Sequence, residues 1–276
     1  MKIFYYLNGK FVEKNQARIK VNDLGLLRGY GVFDYLRTYN CRPFYLEDHL
    51  QRFFRSAAGL NLKVPVSQKK LRQIIFQLLA KNKSLKEMNF RIVLTGGETE
   101  DAKTSKKPTF FIMVGRPHFY PPKVYNQGVK ILSLNYGREW PEIKTTNYLL
   151  AVSHWPEVLK KKASEIIYVN QGKVLEAATS NFFTVKNKII LTPQSGILGG
   201  VTRKIIIQLA RQNKIPLREK NLSWKEILRA DECFLTATDK EVLPVVQIDH
   251  HQIGSGQPGP VTKKLISLFG ELVKNY

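Results

Sequence analysis

Between residues 46 and 60 the apolar side chains Leu46, Leu50, Phe53, Phe54, Ala57 and Leu60 fall at spacings of four, three, one, three and three. That spacing lines one face of a helix. Ser67 supplies a candidate N-cap for a second helix, with Leu71, Ile74, Ile75, Leu78 and Leu79 as its apolar stripe. Strand patterns occupy residues 3–7, 31–39, 90–95 and 109–114, the last two separated by a polar loop over 96–108. Pro117, Pro121 and Pro122 then interrupt both helix and sheet pairing. The expected division is an N-terminal domain 1–116, a linker 117–123 and a C-terminal domain 124–276. Beyond the linker short strands crowd together at 129–134, 165–169, 173–175, 182–185 and 189–191, which suggests a curved sheet or barrel. Helices are expected at 201–212, where Gly199 and Gly200 leave backbone amides accessible, and at 260–273. The last strands are read at 233–238 and 242–248.

The composition of the 276 residues, 43% hydrophobic and 24% charged, excludes disorder as the main state. No stretch reaches the roughly 18 uncharged apolar residues of a membrane helix, and the opening run at 3–7 is broken by Asn8 and Gly9. Neither a membrane span nor a secretory signal is expected. Cys41 and Cys233 lack metal-ligand spacing and stand in apolar, strand-like contexts, so buried inert thiols in a reducing cytoplasm are expected. Charge changes the picture more: 44 Lys plus Arg against 22 Asp plus Glu give +22, enough to attract a polyanion. The basic residues are dispersed, however, at 81 and 83, 103–107, 160–162 and 263–264. No RNA-binding motif or zinc-finger spacing accompanies them, so the reading is a solvated basic surface with no specific nucleic-acid partner.

Several chemistries drop out by motif. There is no phosphate-binding glycine loop with its lysine, and the adjacent His250 and His251 cannot easily share a tetrahedral metal site, so no metal is expected. No serine sits in a Gly-x-Ser-x-Gly turn. What remains is a set of polar residues at the ends of apolar elements. Lys144 precedes the apolar run at 149–152, Glu176 ends the strand of Val174 and Leu175, Asn181 follows five residues later, and Arg52 stands on the first helix. Each alone reads as ordinary surface or turn chemistry.

Together they fall in an order that resembles a family. The carriers are Asp23 and Gly25, Gly31-Val32-Phe33-Asp34, Glu47-Asp48-His49-Leu50-Gln51-Arg52, Lys144 to Tyr148, and Glu176 to Phe183. Gly200-Val201-Thr202-Arg203, Glu232 to Pro244 and Gly259 to Lys263 complete the set. This order is similar to that of the class IV aminotransferases, the fold type IV pyridoxal-phosphate enzymes that include branched-chain and D-amino-acid aminotransferases and aminodeoxychorismate lyase.

The resemblance implies a two-domain α/β (α+β) fold, an N-terminal α/β sandwich and a C-terminal pseudo-barrel, in a cytoplasmic homodimer that holds pyridoxal 5'-phosphate in a crevice between domains. Lys144 then matches the Schiff-base lysine, which moves the proton at the substrate Cα, a task suited to an amine that desolvation can deprotonate. Glu176 matches the carboxylate on the pyridine nitrogen, which keeps the ring an electron sink. Arg52, Val201, Thr202 and Thr238 match the phosphate anchor, Tyr148 the contact to the phenolic oxygen, and Asn181 the turn that presents Glu176. Substrate-side positions are Arg28, Phe33, Arg91 and Asp239. Phe33 stands where D-specific enzymes use tyrosine, and the 96–105 loop carries no Arg-x-His, which disfavours the D-specific reading. Asp34, where the lyase is usually non-acidic, favours transamination. The expected reaction is therefore amino transfer between an apolar, branched-chain type L-amino acid and a 2-oxo acid. The alternatives are aminodeoxychorismate lyase and an inactive basic scaffold or nucleic-acid-binding protein.

Overall fold

The computed structural model describes residues 2–105 and 107–276, and Lys106, within the basic run at 103–107, lies outside the described residues. The chain divides into two compact units, the first Met1–Pro117 with Ile143–Asn147 and Tyr276, the second His118–Glu142 with Tyr148–Asn275. The boundary falls at Pro117/His118, and the last two residues of the expected 117–123 linker, Pro122 and Lys123, open a helix that runs to Gln127.

In the first unit the order is β1 (Phe4–Leu7), β2 (Lys10–Glu13), α1 (Leu24–Arg28), β3 (Gly31–Tyr39), β4 (Arg42–Pro43), α2 (Leu46–Gly59), α3 (Gln68–Lys81), β5 (Asn89–Thr95) and β6 (Thr109–Gly115). The sheet runs β2-β1-β6-β5-β3-β4, with every pairing antiparallel. Alternation along β3 sends Val32, Asp34 and Leu36 to one face and Phe33 and Tyr35 to the other. The first face packs into the core with Leu50, Phe53 and Ala57 of α2 and Leu71, Ile74, Ile75 and Leu78 of α3. Ser67 caps α3 as expected, its hydroxyl accepting from Lys70 N at 3.2 Å.

Cys41 departs from its expectation. It is exposed, because Asn40 and Cys41 take φ of 50° and 60° in the tight turn joining β3 to β4, and only Cys233 is buried. The domain assignment of Lys144 also changes. Its segment belongs to the first unit, not to the C-terminal domain, because its backbone pairs with β3: Phe33 N donates to Lys144 O and Thr146 N to Gly31 O, each at 2.9 Å.

The second unit continues with α4 (Pro122–Gln127), β7 (Val129–Asn135), α5 (Leu149–Lys160), β8 (Ile166–Asn170), β9 (Lys173–Ala177), β10 (Asn181–Lys186) and β11 (Ile189–Thr192). It ends with α6 (Val201–Gln212), β12 (Leu217–Glu219), β13 (Leu222–Ser223), α7 (Trp224–Ile227), β14 (Glu232–Ala237), β15 (Glu241–Ile248), β16 (His251–Gln252) and α8 (Pro260–Lys274). Its half-barrel sheet runs β12-β11-β10-β14-β15-β7-β8-β9-β13, with β16 added to β15. β15, β7 and β8 are mutually parallel and the hairpins antiparallel, which makes it a mixed sheet. The buried Glu232 carboxylate accepts from Val261 N at 3.0 Å and Thr262 N at 2.7 Å. It thereby satisfies two of the orphan amides that open α8. Among the described residues no helix is long and apolar enough to cross a membrane, and no group of three or more His, Cys, Asp and Glu side chains could hold a metal ion.

Candidate active site

In the first unit an ionised side chain points into an apolar core, and α2 answers it. Asp34 is fully buried between Val32 and Leu36. Arg52 donates to it twice at 2.8 Å, Nε to Oδ2 and Nη2 to Oδ1, and His49 Nδ1 lies 2.7 Å from Oδ1. A buried carboxylate without such partners is strongly unfavourable. Burial alone raises the Asp34 pKa, but Arg52 and then His49 outweigh it and hold the carboxyl well below the usual range. Burial pushes His49 down and prevails over the opposing pull of Asp34. His49 is thus neutral, with Nδ1–H donating to Asp34. His49, Arg52 and Ser56 stand at i, i+3 and i+7, a polar stripe beside the apolar one of Leu50, Phe53 and Ala57. Ser56 Oγ accepts from Lys144 N at 3.1 Å.

That stripe fixes the backbone of Lys144, and β3 places its side chain. Lys144 is 9% exposed, and its Nζ lies 4.6 Å from the centroid of the Phe33 ring. Arg91 stands opposite Tyr35 across the β3–β5 pair, with its guanidinium 5.8 Å from the Phe33 centroid. Lys144, Phe33 and Arg91 therefore gather on the sheet face away from Asp34. Arg28 is not brought to them: it is exposed on the last turn of α1 and donates to Leu27 O at 2.9 Å.

In the second unit the central group is Glu176. Arg138 Nη2 donates to its Oε1, and Leu198 N at 3.0 Å and Asn181 Nδ2 at 3.3 Å donate to its Oε2. Asn181 Nδ2 also reaches Leu198 O at 2.7 Å, so this amide braces Glu176 against the segment that leads into α6. A Cβ on Gly200 would stand 1.9 Å from Asn181 Oδ1, so only glycine fits the N-cap position there. α6 opens at Gly200 with no side-chain cap, and Val201 and Thr202 are buried in its first turn. Tyr148 is half-buried at the N-cap of α5. Thr238 and Asp239 are half-buried in the loop joining β14 to β15.

Two pairings escaped the sequence reading. Arg138 lies 38 residues from Glu176, and its pairing has no local signature. Glu176 outweighs the effect of burial and raises the Arg138 pKa, which keeps the guanidinium charged. Lys240 and Glu165 form a second buried pair, with Nζ–Oε2 at 3.0 Å. Only the His49/Arg52/Ser56 stripe left a readable signal, three polar residues at helical spacing next to a core stripe.

Comparison with known proteins converges. The amino-transferase class IV family model matches residues 31–248. A putative branched-chain-amino-acid aminotransferase of Methanocaldococcus jannaschii is 33% identical over 283 residues, covering 99% of this chain and 96% of that protein. A D-alanine aminotransferase of Bacillus licheniformis is 31% identical over 274 residues, covering 96% and 94%. The crystal structure of the Escherichia coli branched-chain amino acid aminotransferase superposes with a TM-score of 0.92 at 27% identity, covering 99% and 95%. These relatives are all aminotransferases, which leaves the lyase and basic-scaffold expectations unsupported. Enzymes of this family use pyridoxal 5'-phosphate. With its lysine, its braced carboxylate and a match along most of its length, the chain belongs to the class IV aminotransferases.

Proposed function

We propose that this enzyme transfers the amino group of an apolar, branched-chain type L-amino acid to a 2-oxo acid, working as a cytoplasmic homodimer. Pyridoxal 5'-phosphate supplies an aldehyde that accepts the amino group and a protonated ring that withdraws electrons. The donor set fits this group: a buried lysine amine, a carboxylate held by three donors, and a helix start without a side-chain cap. The reading requires Lys144 and Glu176 to serve one cofactor.

Lys144 Nζ would hold the cofactor covalently, and its amine is the group that would take the proton from the substrate Cα and return one. Glu176 keeps the ring nitrogen protonated, and Arg138, Asn181 and Leu198 N hold that carboxylate ionised and oriented. The Val201 and Thr202 amides, the Thr202 hydroxyl and Thr238 bind the phosphate at the start of α6. Arg52, held side-on by Asp34 through Nε and Nη2, adds its charge to the phosphate anchor. Tyr148 serves the phenolic oxygen, and Arg91 and Asp239 lie on the substrate side. Arg28, turned back onto Leu27 O, is the substrate-side position with the least support.

Phe33 carries the substrate assignment. Its half-buried ring beside Lys144 Nζ offers an apolar wall and no hydroxyl to receive a carboxylate. Borohydride reduction of the yellow protein should place the cofactor on Lys144 by peptide mapping, and a colourless protein that stays colourless with added pyridoxal phosphate would remove the cofactor reading. With 2-oxoglutarate as acceptor, L-leucine, L-isoleucine and L-valine should outperform D-alanine in kcat/KM. Preference for D-alanine would overturn the substrate assignment while leaving the family intact. Light scattering at micromolar concentration should give twice the 31.8 kDa chain mass.

A further inference from the structure

Lys240 is charged, 4% exposed, and stands in a three-residue loop, Thr238 to Lys240, closed by the Ala237–Glu241 pair with Glu241 at φ 57°. Three-residue hairpin loops with a following left-handed residue are a standard solution for antiparallel strands and require no buried lysine. Yet this one is fastened at several points. Lys240 Nζ donates to Glu165 Oε2 at 3.0 Å and to Thr179 Oγ1 at 2.6 Å, and its carbonyl oxygen accepts from the Tyr125 hydroxyl at 3.3 Å. Glu165, wholly buried just before β8, also accepts from Thr179 Oγ1 at 2.6 Å and Ser180 Oγ at 3.1 Å. Thr179 and Ser180 form the turn that follows Glu176, closed by Ala177 N donating to Ser180 O at 2.8 Å. One buried carboxylate thus ties the β14–β15 loop to the Glu176 turn. Burial opposes the Lys240 charge, but Glu165 outweighs it and keeps the ammonium protonated.

We propose that Lys240 is a positioning residue, which through Glu165 sets the Thr238–Asp239 loop at a fixed distance from the Glu176 turn so that Thr238 meets the cofactor phosphate. The inference rests on the cofactor reading above. A buried ion pair is weak evidence for stability and better evidence for specificity of geometry, and the two segments it joins hold the proposed ring and phosphate contacts. The Lys240 ammonium itself is engaged by Glu165 and Thr179. Without the pair, each segment keeps its strands but the loop loses its reference to the turn.

The test compares pyridoxal phosphate with pyridoxal, which lacks the phosphate, by visible-absorbance titration of the full chain after its cofactor is removed. The proteins are wild type, Lys240→Met, and the double variant Lys240→Met/Glu165→Gln, which removes both charges at nearly constant shape and leaves Thr179 and Ser180 an acceptor. In the double variant, affinity for pyridoxal phosphate should fall at least tenfold, affinity for pyridoxal should change less than twofold, and the melting midpoint of the cofactor-free protein should stay near wild type. Equal loss for both ligands would mean a merely structural pair and overturn the proposal. So would a folded double variant whose affinity for pyridoxal phosphate stays within twofold of wild type. Wild type that binds neither ligand would instead overturn the cofactor reading, and this inference with it.

Discussion

Asp34 and Glu176 are both buried carboxylates paired to an arginine, and the pairs work in opposite senses. At Asp34, Arg52 takes both oxygens side-on and His49 adds a third donor. The carboxylate is there to orient the cation. At Glu176, Arg138 engages one oxygen while a backbone amide and Asn181 engage the other, so donors from three segments converge to orient the carboxylate. The same chemistry therefore fixes a guanidinium in one unit and an acid in the other. The settings differ too: Asp34 lies in the middle of β3 facing Arg52 on α2, whereas Glu176 lies near the end of β9 beside a turn and Arg138 in the irregular segment between β7 and α5.

The largest effect that would break this comparison is on turnover. Glu176→Gln keeps the size and an acceptor but removes the charge from the presented group, and kcat should fall roughly 10²–10³-fold, the scale of losing one preorganised electrostatic stabiliser. Cofactor should remain attached to Lys144, read by borohydride trapping. If Glu176→Gln turned over like wild type, the two carboxylates would share a purely structural role.

A second effect lies in stability and separates the pairs by pH. Asp34→Asn leaves the Arg52 charge buried without its counter-ion, a change that costs about 3–5 kcal/mol when one partner of a buried pair is removed. Because the folded pKa of Asp34 is depressed below its unfolded value of about 3.9, the unfolded chain binds more protons as pH falls past 4. The contribution of Asp34 is fully present above that pH and is lost progressively as pH falls from there through the depressed folded pKa. Urea midpoints at pH 6 and pH 3 should accordingly show a wide gap between wild type and Asp34→Asn at pH 6 and a narrower one at pH 3. A gap that does not narrow would mean Asp34 is not ionised in the fold.

Neither pair was fully legible in the sequence, and the reason is physical. Strands 31–39 and 109–114 and helix 201–212 announce themselves because their apolar periodicity is local. Likewise, the resemblance singles out Glu176 and Arg52 individually. Partners such as Arg138 for Glu176 or Lys240 for Glu165 are set by how strands return to one another, 38 and 75 residues apart. Helix α5 escaped for a different reason: Pro156 lies inside it and Leu149, Val152 and Leu159 are exposed, so neither propensity nor an inward stripe marks it. The Cys41 turn was hidden by an apolar context whose backbone goes left-handed.

The smallest expected effect calibrates the others, and it comes from a residue that could be read from the sequence. Ser67 caps α3 at the surface of the first unit, accepting from Lys70 N without charge or burial. Ser67→Ala removes that acceptor, and loss of such a cap costs about 1 kcal/mol. Since no proton is linked to the hydroxyl, the gap between wild type and Ser67→Ala in urea midpoint should be the same at pH 6 and pH 3, and kcat should not change. A pH-dependent gap for this variant would show that the acid response assigned to Asp34 is a general softening of the first unit. A constant gap, set against a narrowing one for Asp34→Asn, isolates the carboxylate that holds Arg52 from the backbone that carries it.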